Sequence, residues 1–274
     1  MSTVFPMKQP LYEQILREED FAESTIKTYS YAVRDFMARY GTLNRAELSA
    51  YKSFLIDNYK LRTVNLRIVS MNKYLDAIGL RKLQMKPIKM PKESFLDQII
   101  SNEGYIYFKQ SLQKESDLRW YFVVWFLAAT GARISELVQF KVEHVRAGYI
   151  DIYSKGGRMR RLYFPVKLRE EALMWLEKEG RNSGPLFLNT RGERLTPRGI
   201  SFRLKTYANK YNIDPDLVHP HAFRHLFAKN FLRKNHDIAL LADLLGHSSI
   251  ETTRIYLQQS SREQGKMVNR IVDW

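Results

Sequence analysis

Two prolines, Pro87 and Pro91, punctuate the lysine-rich stretch Lys86-Pro-Ile-Lys-Met-Pro-Lys-Glu93. Proline lacks the N–H that a helix interior needs and clashes with the preceding turn, so no helix is expected to run through it. Its lysines keep it in water. The chain is therefore expected to fold as two bodies, residues 1–88 and 98–274, with 89–97 as the linker. A length of 274 residues suits that division, at roughly 100–200 residues per domain.

Helical periodicity dominates before the prolines. Ser24 is read as the cap of a helix whose apolar face is Ile26, Tyr29, Val33, Phe36, Met37 and Tyr40, with Gly41 as its stop. Asn44 and Glu47 have capping-box spacing and open a helix through Leu48, Tyr51, Phe54 and Leu55. Thr63 is read as the cap of a third, through Leu66, Val69, Tyr74, Leu75 and Ile78 to Gly79. A short helix at Tyr12–Leu16 precedes these, giving a small bundle. Lys27, Arg34, Lys52, Arg62, Arg67 and Lys73 fall on its polar faces, either as a solvated surface or as contacts to a polyanion.

The second part is predicted to be mostly helical with a small antiparallel sheet. Helices are read at Ile99–Gln113, Leu118–Thr130, Leu168–Lys178, Pro197–Tyr211, Phe223–Arg233, Ile238–Leu245 and Ile250–Gln259. Tyr149–Tyr153 and Arg161–Phe164 alternate like strands around Ser154-Lys-Gly-Gly157, a hairpin signal, and Pro185–Leu188 reads as a further short strand.

Charge narrows the partners. The chain carries 44 Lys+Arg against 29 Asp+Glu, a net +15. Residues 1–92 hold 16 against 9 and the remainder 28 against 20, so both bodies are basic and the charge is no tail. Nucleic acid is the expected partner, with an anionic membrane surface as the other reading. The N-terminus has no apolar run that reads as a signal peptide, and Tyr121–Ala132 is shorter than the ~20 residues of a membrane span. A cytoplasmic, nucleoid-associated protein with no membrane partner is expected. Cysteine is absent, which excludes a disulfide scaffold, Cys-ligated zinc and thiol catalysis.

Four segments carry chemistry. In Ala129-Thr-Gly-Ala-Arg133-Ile-Ser-Glu136-Leu, Arg133 either aims its fork at an oxyanion or pairs with Glu136 one turn on. Lys155 sits at the glycine-rich hairpin tip, either reaching into a groove or serving solubility. In His219-Pro-His221-Ala-Phe-Arg224-His225, His221 and Arg224 share a helix face beside a helix N-terminus, which suits a phosphate. The three histidines also invite a metal reading, but no nearby carboxylate or cysteine completes a ligand set. His225 is read as packed or hydrogen-bonded structure. In Leu244-Leu-Gly-His247, His247 follows a helix stop, and Tyr256 lies nine residues later.

Together these residues make a metal-free phosphoryl-transfer set, and the chain resembles the tyrosine recombinases of the phage-integrase and Xer group. The resemblance rests on Thr-Gly-Ala-Arg133-Ile-Ser-Glu-Leu, on His221-x-x-Arg224, and on Leu-Leu-Gly-His247 with Tyr256 nine residues on. The 23-residue gap from Arg224 to His247 also fits. Ser154, Phe223 and Lys229 stand where glycine, leucine and threonine are common, and none of these departures removes a catalytic group.

The resemblance implies a mainly α protein. A helical, SAM-like core-binding domain would precede a mostly α catalytic domain with a small antiparallel sheet, the DNA breaking-rejoining fold. It implies Tyr256 as nucleophile, Arg133, Arg224 and His247 on the scissile phosphate, His221 as base, Lys155 as general acid and Glu136 as support. No cofactor, metal or ATP is implied. Partners would be duplex DNA carrying a recombination site, a homotetramer in the synaptic complex, and accessory DNA-bending or regulatory proteins. The chain starts near the core-binding helices, so a simple Xer-like reaction is expected. The apolar tail residues Met267, Val268, Ile271, Val272 and Trp274 would dock into a neighbouring subunit or pack on their own domain. A type IB topoisomerase-like relaxing enzyme and a non-catalytic DNA-binding protein are the alternatives.

Overall fold

The computed structural model describes residues 9–90, 100–153, 159–247, 249–257, 268–269 and 272. The chain divides into two compact units, Met1–Lys92 and Glu93–Trp274. No helix among the described residues is long and apolar enough to cross a membrane.

The first unit is built from α1 (Gln9–Glu18), α2 (Glu23–Tyr40), α3 (Arg45–Asn58) and α4 (Leu61–Ala77), followed by a 3-10 turn at Arg81–Leu83. Asn44 caps α3 as its spacing predicts, accepting from the Glu47 N–H at 3.0 Å. The other two caps differ from expectation. α2 begins one residue before Ser24, and Ala22 precedes it with no side-chain cap. α4 begins at Leu61, two residues before Thr63, and its first turn is closed by the Lys60 carbonyl accepting from Val64. Here the buried faces, not capping side chains, set where the helices start. Those faces meet around Tyr12, Phe36, Leu48, Tyr51, Ile68 and Tyr74.

The six basic residues expected to contact DNA separate into two groups. Lys27, Arg34 and Arg62 are exposed. Arg67 instead donates to Asp35 at 3.0 Å, with both side chains largely buried, and lies over the Tyr31 ring. Lys73 pairs with Glu19, and Lys52 donates to the Lys86 carbonyl at 2.7 Å. These three hold the bundle together, because α2, the turn after α1 and the segment after the 3-10 turn bring acceptors to them that are distant in sequence.

The second unit comprises α5 (Asn102–Gln113), α6 (Arg119–Thr130), α7 (Ile134–Leu137), α8 (Val142–Ala147), β1 (Tyr149–Tyr153), β2 (Met159–Tyr163), α9 (Val166–Lys178), α10 (Pro197–Lys210), α11 (Pro220–Asn235), α12 (Ile238–Leu245) and α13 (Ile250–Arg254). A 3-10 turn, Ile255–Leu257, follows α13, so the helix expected to run to Gln259 stops earlier. The strands pair antiparallel with Ile150 opposite Leu162 and Ile152 opposite Arg160, one inward-facing set. Pro185–Leu188 is not a strand; it makes only isolated bridges, Lys141 with Pro185 and Leu188 with Arg194. The apolar helix α6 runs through the core, with Phe126 and Leu127 fully buried among Phe140, Phe164, Leu176 and Phe187. The hairpin tip with Lys155 lies outside the described residues, as does most of the tail.

Candidate active site

α6 ends at Gly131, whose φ of +63° turns the chain left-handed. A Cβ there would stand 2.6 Å from Cδ1 of Phe227 on α11, so the chain reverses only with glycine. The reversal places Arg133 as the residue before α7. One turn on, the buried Glu136 carboxylate accepts from the Arg133 backbone N–H at 2.7 Å and from Arg133 Nη1 at 3.0 Å. The pairing weighed from sequence is therefore real, but it uses only part of Glu136.

The rest of that carboxylate belongs to Arg160, which projects inward from β2. Arg160 Nη1 and Nη2 donate to Glu136 Oε1 and Oε2 at 2.9 and 2.8 Å. Burial opposes ionisation of Glu136, but its hydrogen bonds and attraction to Arg160 and Arg133 win and hold its pKa below the ordinary range. Arg160 lies in none of the four sequence segments that carry chemistry. Its signal was available: alternation along β2 puts it in phase with the buried Leu162.

The three arginines converge on the C-terminal end of α12. A helix leaves its last four carbonyls without intrahelical partners. Two are closed by backbone, Ala242 accepting from the His247 N–H and Asp243 from the Gly246 N–H, each at 3.0 Å. Leu244 accepts from Arg160 Nε at 3.0 Å and Leu245 from Arg224 Nη2 at 2.7 Å. The next carbonyl, Gly246, accepts from Arg133 Nη2 at 3.4 Å. The negative end of the helix dipole thus gathers the cations.

Arg224 comes from α11, which starts at Pro220 behind His219 as cap, earlier than the expected Phe223. It is 4% exposed and also donates to the Gly131 carbonyl at 2.8 Å. Burial, then repulsion from Arg133, lowers its pKa to about 10, so it stays charged at neutral pH. Its Nη2 lies 3.0 Å from His247 Nε2, while His247 Nδ1 lies 2.8 Å from the Thr253 hydroxyl. Burial and the three nearby arginines bring the His247 pKa to about 4, and the ring is neutral.

Tyr256 completes the group from the 3-10 turn after α13. Its ring stacks on His247 with centroids 6.1 Å apart and meets His225 edge-on at 5.1 Å. It is 7% exposed and packs with Ala228, Leu232, Leu241 and Leu245. Burial pushes the phenol pKa up, and the charge and hydrogen bonding of Arg224, with Arg133, act against that rise. His225 is more than the packed residue expected: it forms one wall of the tyrosine site. Burial, then neighbouring His221 and His219, brings its pKa to about 4. His221 is exposed on the first turn of α11, one turn before His225.

The structure thus brings together Arg133, Glu136, Arg224, His247 and Tyr256 and adds Arg160, His225 and Thr253. Nothing in the sequence alone singled out Thr253. Among the described residues, no group of three or more His, Asp or Glu side chains could hold a metal ion.

The phage integrase family matches residues 102–263, more than half of the chain. The chain is 29% identical over 264 residues to tyrosine recombinase XerA of Pyrococcus furiosus, covering 93% of this chain and 90% of that protein. It is 29% identical over 308 residues to tyrosine recombinase XerD of Vibrio cholerae, covering 98% of each. In fold it is similar to the XerH site-specific recombinase bound to its difH substrate, with a TM-score of 0.69 and 20% identity over 96% of this chain and 84% of that one. Helix-end arginines gathered beside a buried tyrosine, and a family match that spans them, lead to one assignment: the chain belongs to the phage integrase family, the tyrosine recombinases.

Proposed function

We propose that Tyr256 is the nucleophile with which this site-specific tyrosine recombinase cuts and rejoins duplex DNA. The phenolic oxygen attacks the scissile phosphorus, the bond from phosphorus to the 5′ oxygen breaks, and a 3′-phosphotyrosyl link forms. The 5′ oxygen leaves as a hydroxyl. A 5′-hydroxyl from the partner duplex then reverses the step, so the phosphodiester energy is retained and no ATP enters.

The observation that carries this reading is the packing of Tyr256 against His247, itself joined to Arg224, with Arg133 bound to the same helix end. Arg133 and Arg224 are assigned to the non-bridging phosphate oxygens. Pre-organised donors of this kind contribute on the order of 3–4 kcal/mol each to transition-state stabilisation. An unperturbed phenol has a pKa near ~10 and Tyr256 sits higher, so attack needs a proton acceptor. His221 is assigned that role, and Lys155 that of acid to the departing 5′ oxygen. Glu136 and Arg160 hold the arginines and the α12 end in place.

Similarity to XerA and XerD along nearly the whole chain favours strand exchange over relaxation alone. We assign the exposed Lys27, Arg34 and Arg62 to the DNA backbone, four protomers to a synapse of two sites, and the tail Ser261–Trp274 to exchange between neighbours. Accessory DNA-bending proteins fit the same scheme, in the cytoplasm beside the nucleoid.

The test is incubation with nicked suicide DNA bearing the cognate junction, followed by a denaturing gel. A covalent protein–DNA band is expected for the wild type and not for Tyr256→Phe. A band that survives in Tyr256→Phe overturns the assignment. A tail deletion that leaves synapsis and strand exchange intact overturns tail exchange.

A further inference from the structure

Lys27, Tyr31 and Arg34 stand at the i, i+4 and i+7 positions of one face of α2. All three are exposed, the tyrosine by 48% in spite of its size. The carboxylates of α2 are engaged elsewhere: Glu23 pairs with Arg17, and Asp35 with Arg39 and Arg67. Lys27 and Arg34 are thus left to meet an anion from outside. Tyr31 is braced from within. The Arg67 guanidinium lies 4.3 Å from its ring centroid, and Arg67 is itself held by Asp35 at 3.0 Å and flanked by the Tyr59 ring at 5.3 Å. One ring face is therefore covered by the protein, and the side chain is ordered before any partner arrives.

We propose that Tyr31 reads the recombination site in the DNA major groove by packing its ring on a thymine methyl group. This rests on the assignment of Lys27 and Arg34 to the DNA backbone given above. Those two cations are seven residues apart, about 10 Å along the helix axis. The major groove is about 12 Å wide and admits a helix. With α2 crossing the groove, Lys27 and Arg34 reach the phosphates of its two walls, and the residue between them faces the floor. Phosphate contacts hold every sequence alike, so the two cations carry position but no base information. The floor of the groove offers one apolar group, the C5 methyl of thymine. Tyr31 has Arg67 over one ring face, and the apolar remainder of the ring is what it presents outward.

The experiment selects binding sites for the full-length chain from a library of randomised duplexes. Each thymine of the selected duplex is then replaced in turn by uracil, which removes only the methyl. Wild type is expected to lose affinity about four-fold at one thymine, the size of one buried methyl group. Tyr31→Ala should be indifferent to uracil there and should select sites with that position degenerate. Tyr31→Phe keeps the ring and should keep the thymine preference. The slope of log affinity against log salt should be the same for all three proteins, because no charge is lost. A wild type that tolerates uracil at every position overturns the proposal, whatever the stability of the variants. So does a Tyr31→Ala protein that selects the wild-type site unaltered or responds to uracil as the wild type does. A wild type that selects no site overturns the site-specific reading as well. If only the Tyr256→Phe test fails, the nucleophile assignment falls while the base reading stands.

Discussion

Arg160 and Glu136 face each other through two parallel hydrogen bonds of 2.9 and 2.8 Å, with each side chain only 8% exposed. This pair ties β2 to α7, and Arg160 Nε extends the tie to the Leu244 carbonyl at the end of α12. One carboxylate thereby sets the position of two arginines and of the turn that carries His247.

Removing one partner of a buried ion pair leaves the other charge without compensation. Glu136→Ala is expected to destabilise the second unit by about 3–5 kcal/mol in urea unfolding. Joined with Arg160→Met, the loss should be smaller than the two single losses added together. A double-mutant cycle with coupling below about 0.5 kcal/mol, the size seen for independent sites, would sink this account.

Gly131 and Gly246 are both left-handed, and each leaves no room for a side chain. A Cβ at Gly246 would stand 2.6 Å from Cδ of Arg160, and one at Gly131 2.6 Å from Phe227 Cδ1. The strain of left-handed backbone alone is roughly 1–2 kcal/mol for alanine. Gly131→Ala should therefore lower Tm by several degrees. Gly246→Ala should in addition slow cleavage, because Arg160 must shift. A Gly246→Ala enzyme that cleaves at the wild-type rate would refute the link between Arg160 and the α12 end.

Stability is expected to fall on acidification. His225 and His247 take up protons in the fold only near pH 4, whereas unfolded histidine titrates near ~6.5. Between those values the unfolded chain binds more protons, so stability rises with pH across the window. Glu136, with its depressed pKa, contributes above the ordinary carboxylate range and loses that contribution as pH falls through its folded value. Tm should be lower at pH 5 than at pH 7. His225→Phe keeps an aromatic wall for Tyr256 and removes one of the two sites, so the gap should narrow. An unchanged gap would mean that His225 is not held neutral.

The basic residues of the first unit should separate in a salt titration. Arg34→Ala and Arg62→Ala are expected to weaken DNA binding and reduce the slope of log affinity against log salt by about 1 each, with Tm unchanged. Arg67→Ala breaks the buried contact with Asp35 and should lower Tm. If Arg67→Ala leaves Tm unchanged and flattens only the salt slope, its assignment to the bundle interior is wrong.

The sequence by itself determined what local rules control. Periodic apolar faces located the long helices, Asn44 and Glu47 announced their cap, and the punctuation at Pro87 and Pro91 marked where helical pattern gives way. It also determined the chemistry on offer, because Arg133, Arg224, His247 and Tyr256 stand in motifs whose residue types suit one reaction. Helix starts at Glu23 and Leu61 escaped it, since burial can fix an end that no side chain caps. Only the tertiary structure decided how the charges are used. Arg67 looked like Arg34 and Arg62 until α2 supplied Asp35. Arg160 and Thr253 gained their partners only when β2, α7, the α12 end and α13 met. The reason is that unpaired carbonyls at a helix end and a buried carboxylate act at distances of about 3 Å, and sequence separation carries no information about which side chains will arrive there.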